Sequence, residues 1–218
     1  MARNFDDASS QYLEVDSTPV TAAPFTMACW FRSNDATVSQ RLMWVGDKDS
    51  TTNSWSIAAA GAVAGDPVRV IANDAGGNTA QSTSTGFTAN TWHHACAVIV
   101  SATDRSIFID GGSEGNSVTS RSPAGADRIS IGRQGGSSPD AYMSGDIAEA
   151  AIWNIALSDA DVALLALGLD PRMVRPQGLV FYAPLIGRHS PEIDRRGGLG
   201  LTVTGAVASV HPRMFHAG

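Results

Sequence analysis

Few residues in this sequence combine the type and spacing that catalysis demands. Glycoside cleavage needs two carboxylates flanking the scissile bond, about 5–5.5 Å apart in a retaining enzyme. On a strand that calls for acids at alternating positions of one face. The nearest acidic residues on a strand-like run, Asp146 and Glu149, are three apart and face opposite sides of a regular strand, so glycosidase activity is not expected. There is no H-E-x-x-H helix or G-x-x-x-x-G-K-[ST] phosphate loop. The glycines of Gly132-Arg-Gln-Gly-Gly136 are not followed by a helix signal, which makes that segment a turn rather than a phosphate cradle. His93 and His94 are adjacent, and adjacent strand residues project to opposite faces, so the pair is expected to pack rather than share a ligand. Lys48 is the only lysine beside fourteen arginines; it lies between Asp47 and Asp49 and reads as a solvated surface charge.

The elements that would position any site are short strands. The blocks 12–15, 25–31, 41–45, 54–57, 68–71, 94–100, 106–109, 128–131 and 148–153 are rich in apolar and β-branched residues. Clusters of Gly, Asn, Asp and Ser separate them, such as Asn73–Asn78 and Asp110–Gly112. That punctuation predicts an antiparallel sandwich rather than alternating β-α units. In the block 94–100 both alternating faces are apolar, as in a central strand covered on both sides. One helix signal stands out, 158–168. Ser158 is placed as N-cap, Asp159 and Asp161 complement the positive helix end, and Gly168 is placed to stop it. Its interior is apolar on every face, which predicts cover on more than one side, from the extension or from a neighbouring subunit. Residues 1–157 are therefore assigned to the sandwich and 158–218 to a C-terminal extension that docks on it, completes it, or meets a neighbouring subunit.

Composition sets outer bounds. With 218 residues, 43% hydrophobic and 17% charged, the chain is globular, and 22 glycines suit many tight turns. Fifteen basic against 21 acidic residues give a net charge of −6, which argues against a general nucleic-acid binder. No run approaches the ~18 apolar residues that span a membrane. The two cysteines, Cys29 and Cys96, lie in apolar strand blocks and are expected as buried thiols, a bridge between them being the alternative.

Three segments together resemble the laminin G-like jelly roll of the concanavalin A-like lectin/glucanase superfamily. The first is Phe25–Arg32 (FTMACWFR). The second is Asn90–Val100 (NTWHHACAVIV) followed by Ser106–Gly111 (SIFIDG). The third is Ile129–Gly132 (ISIG) leading to Met143–Ser158 (MSGDIAEAAIWNIALS). Their order spans roughly residues 5–157 and implies an all-β antiparallel sandwich with one short helix. The resemblance also implies where glycosidase acids would sit, as E-x-D-x-(x)-E, and no such triplet occurs. Several relatives bind calcium through rim loops, which makes Asp47, Asp49 and Asp140 the candidate oxygen ligands and calcium the one cofactor to consider. Sugar recognition would use aromatic platforms beside polar groups, for which Trp44, Trp55 and Tyr142 with Arg133 are the candidates.

Without a catalytic site, a binding or structural module is expected. The first residues turn acidic at once, with no apolar leader core. Together with the apolar helix this favours a phage virion accessory protein, a capsid decoration or head or tail fibre component. Such a protein is made in the host cytosol and displayed on the virion surface as a homo-oligomer, trimer or dimer, docked on other virion proteins. Met1 and Gly218 are both expected to be held down in that assembly. A carbohydrate-binding lectin that adheres to surface glycans is the alternative, with cytoplasmic residence the alternative location, and a glycoside hydrolase comes third.

Overall fold

A computed structural model describes residues 1–212, 214 and 215; Gly218, one of the two chain ends expected to be anchored, lies outside them. The strands in chain order are β1 (Ala2–Phe5), β2 (Tyr12–Val15), β3 (Phe25–Ser33), β4 (Ser39–Gly46), β5 (Ser54–Ala60), β6 (Pro67–Asp74), β7 (Gly77–Gly86) and β8 (His93–Ser101). They continue as β9 (Asp104–Ile109), β10 (Gly112–Ser117), β11 (Arg128–Ile131), β12 (Gly145–Trp153), β13 (Leu179–Ala183), β14 (Glu192–Ile193), β15 (Gly200–Thr204) and β16 (Val207–Ser209). One α-helix, α1 (Asp159–Ala166), precedes a 3-10 turn at Pro171–Met173.

Two antiparallel sheets form the sandwich. The first runs β10-β9-β8-β3-β12-β1-β16, with β13 sharing the free edge of β12 beside β1; the second runs β14-β15-β2-β11-β4-β5-β6-β7. Alternation explains the layers. Phe25, Met27, Cys29 and Phe31 of β3 enter the core between the sheets with Trp55, Ile57 and Ala59 of β5, while Ala28, Cys96, Phe108 and Trp153 lie on the outer face of the first sheet. Cys29 and Cys96 are thus buried free thiols on opposite faces, each pushed up by burial out of reach of ionisation.

The C-terminal segment supplies strands to both sheets, β13 and β16 to the first and β14 and β15 to the second. Its link to the first strand is a buried ion pair. Arg3 donates from Nε (3.1 Å) and Nη2 (2.9 Å) to Glu192 and from Nη1 to the Ala206 carbonyl, and Glu192 also accepts the backbone N–H of Ile186 and Gly187. Breaking such a buried pair on one side costs roughly 3–5 kcal/mol.

Helix α1 begins where the sequence places it. The Ser158 hydroxyl accepts from the Asp161 N–H while the Asp161 carboxylate accepts from the Ser158 N–H, and Gly168 (φ +91°) takes the left-handed conformation after the C-cap. Val162 and Leu165 pack on the first sheet, but Leu164 (40%) and Leu167 (68%) face solvent. The second layer expected from its all-round apolar sequence is thus not supplied by the described residues.

Candidate functional site

The outward positions of β5 are small: Ser54, Ser56, Ala58 and Ala60. Larger side chains rise from β4 and β6, so a trough of about 240 Å³ runs down the outer face of the second sheet. Its floor is Ala58 and Ala60, and Ser39, Arg41, Arg69 and Ile71 form the walls. Strand register puts Arg41 opposite Ala58, and Ala58 opposite Arg69, in one cross-strand row. Two strand spacings of ~4.8 Å set the two arginine backbones roughly 10 Å apart with only a methyl group between them.

Neither arginine has an acid partner. Among the described residues no carboxylate lies within ion-pair distance of either guanidinium; Arg69 Nε donates to the Ser82 hydroxyl at 2.8 Å, and the buried Nε of Arg41 has no hydrogen-bond partner. Burial pulls the Arg41 pKa below its ordinary value, with Asp140, exposed, opposing that through space. A buried donor without a partner costs about 1–3 kcal/mol, more when charged. The molecule therefore carries at this place an uncompensated demand for an acceptor.

Beside the trough the 132–142 loop crosses the same face. It explains the glycine motif: a Cβ on Gly135 would come 3.0 Å from the Trp44 ring, and one on Gly136 would come 2.3 Å from the Ser50 carbonyl. Trp44 is consequently buried under the loop and is no platform. The structure brings Arg133 and Tyr142 together, with the Arg133 guanidinium 3.4 Å from the Tyr12 ring centroid and bonded to Glu14, and Tyr142 half-buried against Tyr12. Arg133 thus has a carboxylate partner in Glu14, which Arg41 lacks, although the Nε of both arginines is without a hydrogen-bond partner.

Trp55 does not join them. It points inward, 3% exposed, with its ring edge-on to Phe25 at 5.2 Å, because it falls on the core-facing phase of β5. Its margin lines a larger cavity of about 330 Å³ at one rim, with Ala23, Ile99, Arg121 and Pro123. That cavity is more apolar, its arginine is matched by Asp74 at 3.7 Å, and Trp55 offers it no open ring face. The smaller trough holds the unmet charge and is the better candidate.

The acidic candidates separate as well. Asp47 and Asp49 gather with Asp127, their ligand atoms within 4.8 Å of one another. Asp140 is elsewhere, because the 132–142 loop carries it to the start of β4, where the Ala141 carbonyl accepts from the Arg41 N–H. Asp127 was missed by sequence reasoning; its position immediately before a rim-starting strand, Arg128–Ile131, was the available signal. Two of the three carboxylates already hold a cation. Lys48 Nζ lies 2.5 Å from Asp127 and 3.2 Å from Asp49, and these bonds push its pKa up to about 12. A hard cation needs six to eight oxygens, and one bound here would first have to displace that ammonium.

On the outer face of the first sheet the acids are paired, while the buried Nδ1 of His94 has no hydrogen-bond partner. Asp146 is bonded by Arg32 (2.7 Å) and Asn4 (3.1 Å). Glu149 corrects the expectation of a regular strand: β12 bulges between Ala148 and Ala151, Glu149 takes φ +55°, and its carboxylate meets the Tyr182 hydroxyl and His211 Nε2 (2.6 Å) on the outer side. A bulge re-aims a side chain in this way. The two acids stay occupied by separate partners. His93 and His94 do face opposite ways: His93 bridges Asp110 (2.7 Å) and the Thr88 N–H (2.9 Å), and His94 is buried beside Trp30.

Known structures share this architecture. A protein from Bacteroides ovatus, provisionally described as carbohydrate binding, superposes with a TM-score of 0.68 at 18% identity over 95% of this chain, which spans 59% of that protein's length. The CBM40 of a Ruminococcus gnavus sialidase, solved with α2,3-sialyllactose, gives 0.60 at 11% identity, over 76% of this chain and 94% of that one. A heptameric SAP-like pentraxin from Limulus polyphemus gives 0.59 at 14% identity, over 76% and 81%. These likenesses establish the fold. No curated protein matches the sequence. The model of the Laminin_G_3 family, Concanavalin A-like lectin/glucanases superfamily, matches residues 7–163, and the chain belongs to that family.

Proposed function

We propose that the chain is a non-enzymatic glycan-binding module whose ligand lies in the trough between Arg41 and Arg69. The observation that carries this reading is the trough itself. It is an open, sugar-sized groove on a sheet face, floored by alanines and walled by two arginines that have no acid partner among the described residues, one of them with an unpartnered Nε. The carbohydrate ligand of the Ruminococcus module and the description of the Bacteroides protein support the same class of ligand. Binding is expected without calcium, since Lys48 occupies the acidic rim cluster. The test is a glycan array read with the native protein and with Ala58→Phe, which fills the groove from its floor. Selective glycan binding by the native protein and its loss in a variant that melts normally support the reading. Silence across the array, or unchanged binding by Ala58→Phe, overturns it.

A second reading is favoured by one observation, the exposure of Leu164, Leu167 and Met173 (47%) on α1 and the turn after it. Apolar side chains grouped there suit docking on another chain, and a phage virion accessory protein working as a homo-oligomer is the setting we propose for that docking. Light scattering tests it: a stable oligomer that Leu167→Glu dissolves supports it, and a monomer at high concentration counts against it.

A further inference from the structure

We infer that the trough selects an anionic sugar, one whose carboxylate or sulfate ester is held between Arg41 and Arg69; the inference rests on the glycan-binding reading and specifies its ligand class. The cross-strand row Arg41–Ala58–Arg69 places two guanidinium-bearing strands on either side of a residue that has only a methyl group. Two fixed cations flanking a gap are the complement of an oxyanion, and arginine's planar fork suits a carboxylate bidentately. A neutral sugar can offer hydroxyl acceptors but leaves both charges without a counter-charge.

Contrast within the protein sharpens the argument. Arg3, Arg32, Arg128, Arg133, Arg172 and Arg175 each have a carboxylate within 4 Å. Among the described residues Arg41 and Arg69 do not, nor do Arg105, Arg188, Arg195 and Arg196; Arg41 and Arg69 are the two of these that line one trough, in a chain with a net charge of −6. The nearest acid to Arg41, Asp140, is exposed on the crossing loop and outside ion-pair distance. Arg69 is braced through Nε by Ser82, which leaves its outer nitrogens for a ligand. The polar Ser39 and Asn78 on the walls can receive the hydroxyls of the same sugar.

The experiment uses an array in which each neutral oligosaccharide is printed beside its uronic-acid or sialylated form and its sulfated form, probed with the native chain, Arg41→Gln and Arg69→Gln. The expected result is binding to anionic members at least ten-fold above their neutral parents, falling at least ten-fold in either variant while melting temperatures hold. Preference for carboxylated over sulfated members identifies planar bidentate capture, and the reverse identifies a tetrahedral anion; both support the inference. Equal binding of neutral parents, or anionic binding that survives both substitutions, overturns the inference and leaves the glycan-binding reading standing. No binding to any member overturns both.

Discussion

The two outer faces of this sandwich are built from the same kind of strand and have opposite fates. On the first sheet the chain covers its own face: α1 and the turn after it bury Ala28, Cys96, Phe108 and Trp153, and Asp146 and Glu149 are each matched by internal partners. On the second sheet the 132–142 loop covers Trp44 of β4 but leaves the trough between β4 and β6 open, and two arginines stand over its alanine floor with no acid partner among the described residues. Coverage marks a face whose polar groups serve stability. An open face with unmet charge marks one whose partner comes from outside.

That contrast can be broken, and the largest effects should lie on the covered side. Trp153 is fully buried and its indole N–H donates to the Val174 carbonyl at 2.8 Å. Trp153→Ala should cost roughly 3–5 kcal/mol in denaturant unfolding and leave glycan selectivity unchanged in whatever fraction stays folded. Acid should act on the same face. Burial lowers His94 from 6.5 to about 4, so between those values the unfolded chain binds the extra proton. Stability is then present above pH 6.5 and is lost as pH falls toward 4. A shift of this size corresponds to about 3 kcal/mol, and His94→Phe should flatten that part of the pH–stability curve.

Smaller effects should appear on the open side, with a different sign. Arg41→Met removes a half-buried cation with an unpartnered Nε and should leave stability unchanged or raise it by up to about 1 kcal/mol, while binding falls. A clear loss of stability would mean that Arg41 is structural and would erase the contrast. The smallest effect belongs to the acidic rim. Lys48 and Asp127 are exposed enough that Asp127→Asn should cost at most about 1 kcal/mol, and thermal melts in millimolar calcium and in chelator should coincide.

The sandwich was legible because alternation and turn residues act locally. Val45, Ile57 and Val98 announce their strands whatever lies across from them, and Ser158 with Asp161 announces a helix start. The site was much less legible. Arg41 and Arg69 are 28 positions apart and become neighbours only through the registers β4–β5 and β5–β6, which no local pattern specifies. The same limit misplaced Trp55, whose aromatic ring suggested a sugar platform until the phase of β5 turned it inward. It also paired Asp140 with Asp47, although a loop crossing the sheet carries Asp140 to Arg41. Glu149 escaped for a different reason: a single bulge reverses the side of a strand, and its sequence cost is one residue with no distinctive composition.

The most direct measurement is amide chemical-shift mapping of the native chain titrated with the strongest glycan from the array. The account predicts that the shifting amides centre on Arg41, Ala58, Ala60 and Arg69, while those of α1 and of the Asp47–Asp127 rim stay still. Shifts centred on the rim, on the cavity beside Trp55 or on the covered face would contradict it.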